Sequence, residues 1–126
     1  MEKKVIASKK APAALGPYSQ AIEVNGLIYT SGVIGIDPET GKVGETVEKQ
    51  TKQVLENLKG LLADAGSNLD QTVKTTVFLK NMDDFGKVNE IYASYFHGDF
   101  PARSCVEAAR LPKDFLVEIE LIAIKG

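Results

Sequence analysis

The chain has 126 residues, which is the length of one domain and enough for one modest hydrophobic core. Hydrophobic residues make up 44% and charged residues 25%, a composition that excludes a disordered chain. The 15 basic and 17 acidic residues give a net charge of −2, so no excess of Lys and Arg favours binding to nucleic acid or to an anionic membrane surface.

The cysteine content and the N-terminal sequence predict a cytoplasmic location. Cys105 is the single cysteine, so no internal disulfide can form, and a reducing compartment is the simplest location. The N-terminal MEKKVIASKK lacks the apolar stretch of a secretory signal, and no apolar run is long enough to span a membrane. We therefore expect a cytoplasmic protein with no membrane partner, folded as a single domain over residues 1–126.

Hydrophobic periodicity divides the chain into strands of period two and two segments of helical period. The predicted strands cover residues 3–7, 21–24, 27–36, 73–79, 104–108 and 116–124, and the predicted helices cover residues 46–65 and a segment from Asp83 or Asp84 to about Phe96. In the fourth strand, Val73, Thr75, Val77 and Leu79 are expected to share one face. The pair Asn25-Gly26 is typical of a type I′ hairpin turn, because both central residues of that turn take a positive φ.

The element order predicts an α+β sandwich, because two helices in a chain this short can cover only one face of the sheet. The last strand shows what the other face carries. Val117, Ile119, Leu121 and Ala123 point one way, and Leu116, Glu118, Glu120, Ile122 and Ile124 point the other way. This second face is too apolar for water, and an uncovered apolar sheet face indicates an interface. We expect self-association to cover it.

Residues typical of metal or nucleotide chemistry are few. His97 is the only histidine, and a lone histidine at a helix end is most simply a surface or capping residue. No cluster of His, Cys, Asp and Glu has metal-ligand spacing. The segment Gly32-Val33-Ile34-Gly35 lacks the third glycine of a dinucleotide-binding loop. The sequence therefore predicts neither a bound metal nor a cofactor.

Arg103 lies at the mouth of the predicted strand 104–108, two residues before Cys105 and on the same face. A thiol nucleophile needs a lowered pKa and a nearby base, and Arg103 supplies a cation but no base. A small buried residue is therefore the simpler interpretation of Cys105. With a turn near Pro112, this strand is expected to form a hairpin with the last strand, which would place Arg103 across from residues 118–121.

Spacing alone leaves two interpretations of Arg103 and Glu118 open. The simpler one is a structural ion pair between neighbouring strands. The functional one is a guanidinium fork that binds a substrate carboxylate through two hydrogen bonds, with Glu118 nearby to handle water or a proton.

Motifs in several separated segments resemble the RidA (YjgF) family of reactive-intermediate deaminases. The segments are residues 11–20, 29–32, 73–77, 88–89, 101–114 and 117–120, in this order along the whole chain. The resemblance implies a chorismate-mutase-like α+β fold, with one mixed sheet and two helices packed on one face. It implies a homotrimer with three equivalent sites in clefts between subunits. It also implies hydrolysis of enamines and imines, such as 2-aminoacrylate, 2-iminopropanoate and 2-iminobutanoate, to 2-oxo acids and ammonia without a cofactor.

The same resemblance implies roles for individual residues. Arg103 matches the arginine that clamps the substrate carboxylate, and Glu118 matches the residue that positions the attacking water. Cys105 matches a position that binds the substrate nitrogen through its main-chain carbonyl. The residues that match the rest of the cleft lining are Tyr18, Ser31, Gly32 and Asn89.

Three other functions stay open. A non-catalytic regulatory module would use the same cleft to bind a small 2-oxo acid, and it would need only Arg103. Translation inhibition and endoribonuclease activity have also been attributed to relatives. The acidic net charge and the lack of a histidine general base weigh against RNA cleavage.

Overall fold

The structure, a computed structural model, describes residues 2–126. These residues form seven strands: β1 (Lys4–Ile6), β2 (Ala21–Val24), β3 (Leu27–Thr30), β4 (Val33–Ile34), β5 (Thr72–Leu79), β6 (Ala102–Glu107) and β7 (Val117–Ile124). The helices are α1 (Val47–Asp64) and α2 (Phe85–Ala93), and short 3-10 turns occur at Leu69–Gln71, Met82–Asp84 and Pro112–Asp114.

All seven strands belong to one mixed sheet. Its order is β1-β2-β3-β7-β5-β6, and the two-residue strand β4 also pairs with β7. The pair β5–β6 is parallel, and the other pairs are antiparallel. The prediction of an α+β fold with one mixed sheet and two helices is confirmed.

Both helices pack on one face of this sheet. Buried residues of α1 and α2, among them Leu58 and Tyr92, form one core with Val77 of β5 and Ile119 of β7. Thr46 caps the start of α1, where its Oγ1 accepts a hydrogen bond from the N–H of Lys49. Over residues 2–126, neither helix combines the length and the apolar character that crossing a bilayer requires.

The face turned away from the helices, here called the open face, carries the alternate residues of β7. Glu118, Glu120, Ile122 and Ile124 lie on it, whereas the residues between them are buried under the helices, as the alternation predicts. Four apolar side chains on the open face are strongly exposed: Val5 by 59%, Tyr29 by 41%, Val106 by 44% and Ile124 by 46%. A patch of this kind is typical of an interaction surface.

The β2–β3 hairpin turns as the sequence predicts. Asn25 has φ 51° and Gly26 has φ 77°, both positive. Two-residue turns with this geometry match the right-handed twist of the strands that they connect.

Several predicted boundaries differ from the structure. A register shift between Thr72 and Lys74 interrupts the alternation of β5, so that Val73 is 45% exposed and does not share the buried face. The predicted strand over residues 27–36 is broken at Ser31 and Gly32, between β3 and β4.

The start and end of the second helix also differ. Neither Asp83 nor Asp84 caps α2 with its side chain. The Asn81 side chain instead accepts a hydrogen bond from the N–H of Asp83 and begins a 3-10 turn that leads into α2. The helix ends at Ala93 rather than near Phe96, although Phe96 is buried in the core beyond the helix.

The predicted hairpin between the strand of Arg103 and the last strand is wrong. β6 pairs in parallel with β5, and β5 lies between β6 and β7. The segment β5–α2–β6 is a strand–helix–strand unit, and the helical crossover is what allows two successive strands to run parallel. Arg103 therefore lies two strands away from Glu118.

Candidate functional site

Glu118 lies on the open face between two apolar neighbours. The strand register pairs it with Phe78 of β5 on one side and with Ile34 of β4 on the other. Cross-strand partners point to the same face of a sheet. The Glu118 carboxylate is consequently half-buried between an aromatic and an aliphatic side chain.

This environment raises the pKa of Glu118. Burial is the larger cause, and the negative charge of Glu120, two residues further along the same face, is the second. Among the described residues, no hydrogen bond to the carboxylate offsets these effects. A carboxyl group with a raised pKa holds a proton more firmly than an exposed glutamate, which suits an acid–base role.

Gly32 lies directly against the Glu118 carboxyl group. A Cβ atom on Gly32 would stand 2.6 Å from both Cδ and Oε2 of Glu118, closer than carbon and oxygen atoms approach. Only glycine leaves room for the carboxyl group at this position. The break between β3 and β4 therefore creates the space that Glu118 occupies.

A cleft of about 200 Å³ surrounds this carboxylate and is here called the Glu118 cleft. Its lining includes Tyr18, Ser31, Gly32, Ile34, Pro112 and Glu118. The Ser31 hydroxyl donates a hydrogen bond to the carbonyl of Ser19, and the Ser31 N–H donates to the carbonyl of Gln20. These bonds hold the segment that carries Tyr18, whose side chain remains 53% exposed.

Arg103 occupies a different cleft, on the helix side of the sheet. Its Nη1 donates a hydrogen bond of 2.7 Å to Oδ1 of Asn89 on α2. Asn89 and Arg103 line this cleft, here called the Arg103 cleft, together with Tyr92, Phe100 and Pro101. A guanidinium group has five N–H donors, so the bond to Asn89 leaves donors for a second acceptor.

Two aromatic rings orient the Arg103 guanidinium. Its Cζ lies 5.4 Å from the ring centre of Phe85 and 4.9 Å from that of Tyr92, both on α2. The Tyr92 hydroxyl is in turn hydrogen-bonded to Oγ1 of Thr75 at 2.7 Å. Cation–π contacts at these distances stabilise the charge and restrict its orientation.

Cys105 follows Arg103 on the same face of β6 and is half-buried. Burial raises the pKa of its thiol, and the Arg103 charge offsets this only in part. A thiol with a raised pKa is protonated at neutral pH and is a poor nucleophile. The side chain therefore lacks the activation that covalent catalysis needs.

Arg103 and Glu118 do not meet within one chain. Arg103 pairs with Thr75, which pairs with Leu121, three residues beyond Glu118. With strands about 4.8 Å apart and a rise of about 3.3 Å per residue, the two backbone positions are roughly 14 Å apart. Their side chains also lie on opposite faces of the sheet, so the ion pair that spacing left open does not form within the chain.

His97 lies outside both clefts. Its N–H donates to Oδ1 of Asp70, and its side chain is 81% exposed, as expected for a surface residue. Over residues 2–126, no three side chains of the His, Cys, Asp and Glu types are grouped closely enough to hold a metal ion.

The sequence analysis missed part of the surroundings of Arg103. Phe85 and Tyr92 are not among the residues predicted for the site, but both rings contact the guanidinium. A signal was available, because Phe85, Asn89 and Tyr92 have the spacing of one helix face. What the spacing could not show is that this face meets β6.

Comparisons with known proteins identify the family of the chain. The family model described as Endoribonuclease L-PSP matches residues 8–125. The 2-iminobutanoate/2-iminopropanoate deaminase of Salmonella typhimurium is 50% identical over 125 residues, covering 97% of this chain and 98% of the relative. The solved structure of YyfA, a Rid-family protein of Yersinia pestis, is 54% identical with a TM-score of 0.94, covering 98% of this chain and 99% of that one.

A third relative has been solved with a ligand. The structure of E. coli TdcF with bound serine is 39% identical with a TM-score of 0.93, covering 98% of this chain and 99% of that one. The family match and these relatives extend over nearly the whole chain. The chain is thus a member of the Endoribonuclease L-PSP family, known also as RidA/YjgF.

Proposed function

We propose that this protein hydrolyses enamine and imine derivatives of small 2-amino acids to 2-oxo acids and ammonia. The observation that carries the proposal is the half-buried Glu118 carboxyl group, which lies against Gly32 in the Glu118 cleft and has a raised pKa. The name of the Salmonella relative at 50% identity supports the same reaction.

The Arg103 guanidinium binds the substrate carboxylate. Asn89 and the rings of Phe85 and Tyr92 restrict its orientation before the substrate arrives. A planar guanidinium matches a carboxylate through two parallel hydrogen bonds. This contact fixes the carboxylate and, with it, the adjacent C2 carbon. Serine bound to TdcF also carries a carboxylate, which is consistent with such a clamp.

Glu118 activates the attacking water and transfers protons during the reaction. For 2-aminoacrylate, tautomerisation first gives 2-iminopropanoate. With the nitrogen protonated as the iminium, the Glu118 carboxylate accepts a proton from water while the water oxygen bonds to C2 and the C=N electron pair passes to nitrogen. Glu118 then donates this proton to the amine nitrogen, and collapse of the tetrahedral intermediate breaks the C–N bond and forms the C2 carbonyl as the Glu118 carboxylate takes the proton of the C2 hydroxyl and releases it to solvent. One water is consumed, and one 2-oxo acid and one ammonia are formed.

Cys105 contributes its main-chain carbonyl rather than its thiol. A carbonyl acceptor beside the substrate nitrogen favours the protonated iminium, which is the more electrophilic form. The raised pKa of the thiol supports this assignment, because it leaves little thiolate at neutral pH.

The site is completed between subunits. Arg103 and Glu118 lie on opposite faces of one sheet, so one substrate can contact both only if they come from different chains. The exposed apolar side chains of the open face, among them Tyr29 and Ile124, provide a surface for such an assembly. We propose a homotrimer, whose rotational symmetry repeats the same Arg103–Glu118 interface three times.

The decisive experiment is release of ammonia from 2-aminoacrylate generated in the assay by a dehydratase. The expected result is faster loss of the semicarbazide-trappable species and faster formation of pyruvate than in the buffer reaction. Equal rates with and without the protein would refute the proposal. Binding of a 2-oxo acid without any acceleration would instead identify a regulatory binding module.

The family's descriptive name raises endoribonuclease activity as a second candidate. The net charge of −2 gives no general attraction to RNA, and His97 is absent from the linings of both clefts. These features favour the small-molecule reaction.

A further inference from the structure

Asn57 is a buried polar residue that the proposed chemistry does not use. It lies on α1 and is 1% exposed. Its Nδ2 donates to the carbonyl of Ile34 at 3.1 Å and to that of Ile36 at 2.8 Å. Its Oδ1 accepts a hydrogen bond of 2.8 Å from Nε2 of Gln53. Both polar atoms of the amide are therefore hydrogen-bonded, and both N–H groups of Nδ2 bind one short segment.

The same segment touches α1 through its backbone. A Cβ atom on Gly35 would stand 2.7 Å from the carbonyl oxygen of Gln50. The Gln50 side chain accepts a hydrogen bond from the N–H of Leu116, just before β7. One side of α1 thus contacts both chain segments that flank Glu118.

β4 needs this support more than the other strands do. It has only two residues, and its ladder with β7 consists of the pairs Val33–Ile119 and Ile34–Glu118. So short a strand is weakly held by its own ladder. A buried hydrogen bond contributes little net stability compared with an apolar contact, but it fixes direction and register.

We propose that Asn57 is a positioning residue that fixes β4 against α1 and thereby holds the Glu118 carboxyl group where it can activate the water that attacks the substrate. The inference rests on the proposed function. Ile34 is both the acceptor of the Asn57 amide and the cross-strand neighbour of Glu118. If β4 moves away from α1, the carboxyl group loses its apolar neighbour, and water enters beside it.

The test compares Asn57→Leu with Thr51→Val. Leucine has the same branched arrangement of side-chain heavy atoms as asparagine but donates no hydrogen bond. Thr51 is equally buried on α1, but its hydroxyl bonds to Val47 within the helix. Thr51→Val therefore removes a buried hydrogen bond of the same helix that does not involve β4. Gln53→Ala is a milder variant, since Gln53 is only half-buried and bonds to Asn57.

Two readouts separate positioning from stability. The first is kcat and KM for imine hydrolysis, and the second is the titration of the Glu118 carboxyl carbon by NMR. Asn57→Leu should lower kcat about 10- to 100-fold, as misplacement by about 1 Å does, and leave KM nearly unchanged because Arg103 is intact. The Glu118 titration should move to lower pH. Gln53→Ala should change both readouts in the same direction by less, and Thr51→Val should change neither.

A double substitution isolates the path through Glu118. In a Glu118→Gln background, Asn57→Leu should cause no further loss of kcat. A folded Asn57→Leu protein with normal kcat and normal Glu118 titration would overturn the inference. If Asn57→Leu does not fold, an unaltered titration in Gln53→Ala would overturn it. A wild-type protein without hydrolysis, in which the titration still depends on Asn57, would refute the proposed function and uphold the placement of Glu118.

Discussion

Arg103 and Glu118 lie on opposite faces of one β-sheet, with the whole of β5 between their strands. Arg103 pairs with Thr75 on β5, and Glu118 pairs with Phe78 on the same strand. Each has its own cleft and its own supporting contacts. A reaction that needs both groups therefore needs two chains.

Mixing two impaired variants tests this arrangement. Arg103→Lys and Glu118→Gln should each hydrolyse the imine at least about 10-fold more slowly than the wild type when assayed alone. When the two proteins are unfolded together, mixed in equal amounts and refolded, about a quarter of the sites should combine an intact Arg103 with an intact Glu118, as random assembly of a symmetric oligomer requires. Recovery of about a quarter of the wild-type rate of pyruvate formation is expected. No recovery from a mixture of folded oligomers would contradict a shared site.

The size of the assembly is a separate prediction. We expect light scattering after size exclusion to give about three times 13.6 kDa, because the open face needs a cover. Tyr29→Lys places a charge on this face and should weaken the assembly. Lys74→Arg, on the same face, keeps its charge and serves as the control. A monomeric mass at micromolar concentration would contradict the trimer.

Gly32→Ala should reduce activity without unfolding the protein. The added Cβ would meet the end of the Glu118 side chain, which can rotate away at little structural cost. The carboxyl group would then leave the position where it activates water. We expect a loss of about 10²-fold in kcat, the effect of misplacing a reacting group by about 1 Å. Gly86→Ala, where a Cβ would meet nothing within 4 Å, is the matched control.

Glu118→Gln should slow imine hydrolysis by about 10² to 10⁴, the usual contribution of a positioned acid or base. Glu120→Gln should have a smaller effect and should lower the pKa of Glu118, because it removes a like charge. Since the base must be ionised, the acid limb of the wild-type kcat/KM profile should lie above pH 4.5, the ordinary value for this group. Equal rates for wild type and Glu118→Gln would remove the proposed role.

The same raised pKa predicts a gain in stability for Glu118→Gln. The folded protein binds the Glu118 proton more tightly than the unfolded chain does. Wild-type stability should therefore fall as the pH rises from about 4.5 through the folded pKa, and it should stay reduced above it. The Glu118→Gln variant should not lose stability in this pH range, because an amide does not ionise. Its Tm should exceed that of the wild type at pH 7–8 and match it at pH 4. A variant less stable at pH 8 would contradict the assigned direction.

Conservative substitutions should distinguish the role of Arg103 from that of Cys105. Arg103→Lys keeps the charge but loses the planar fork, so kcat/KM should fall about 10- to 100-fold, the range for a lost hydrogen bond to a charged group. Cys105→Ala keeps the main-chain carbonyl and should retain most of the activity. A folded but inactive Cys105→Ala protein would contradict this assignment and indicate that the thiol acts as a covalent nucleophile.

The sequence by itself determined the local structure and the character of each face. The positive φ angles of Asn25 and Gly26 follow from a residue pair that tolerates them. The alternation of β7 follows from its period of two, because successive side chains of a strand point to opposite faces. These features depend on neighbours in the chain, so a single sequence contains them.

The tertiary structure decided which strands are neighbours. Periodicity shows that the strand of Arg103 has two faces, but it does not show that β5 lies between that strand and β7. The approach of Gly32 to Glu118 and the bonds of Asn57 to Ile34 and Ile36 join residues that are 86, 23 and 21 positions apart. Such contacts depend on how the helices and strands pack as a whole, and the local pattern around each residue does not specify its distant partner.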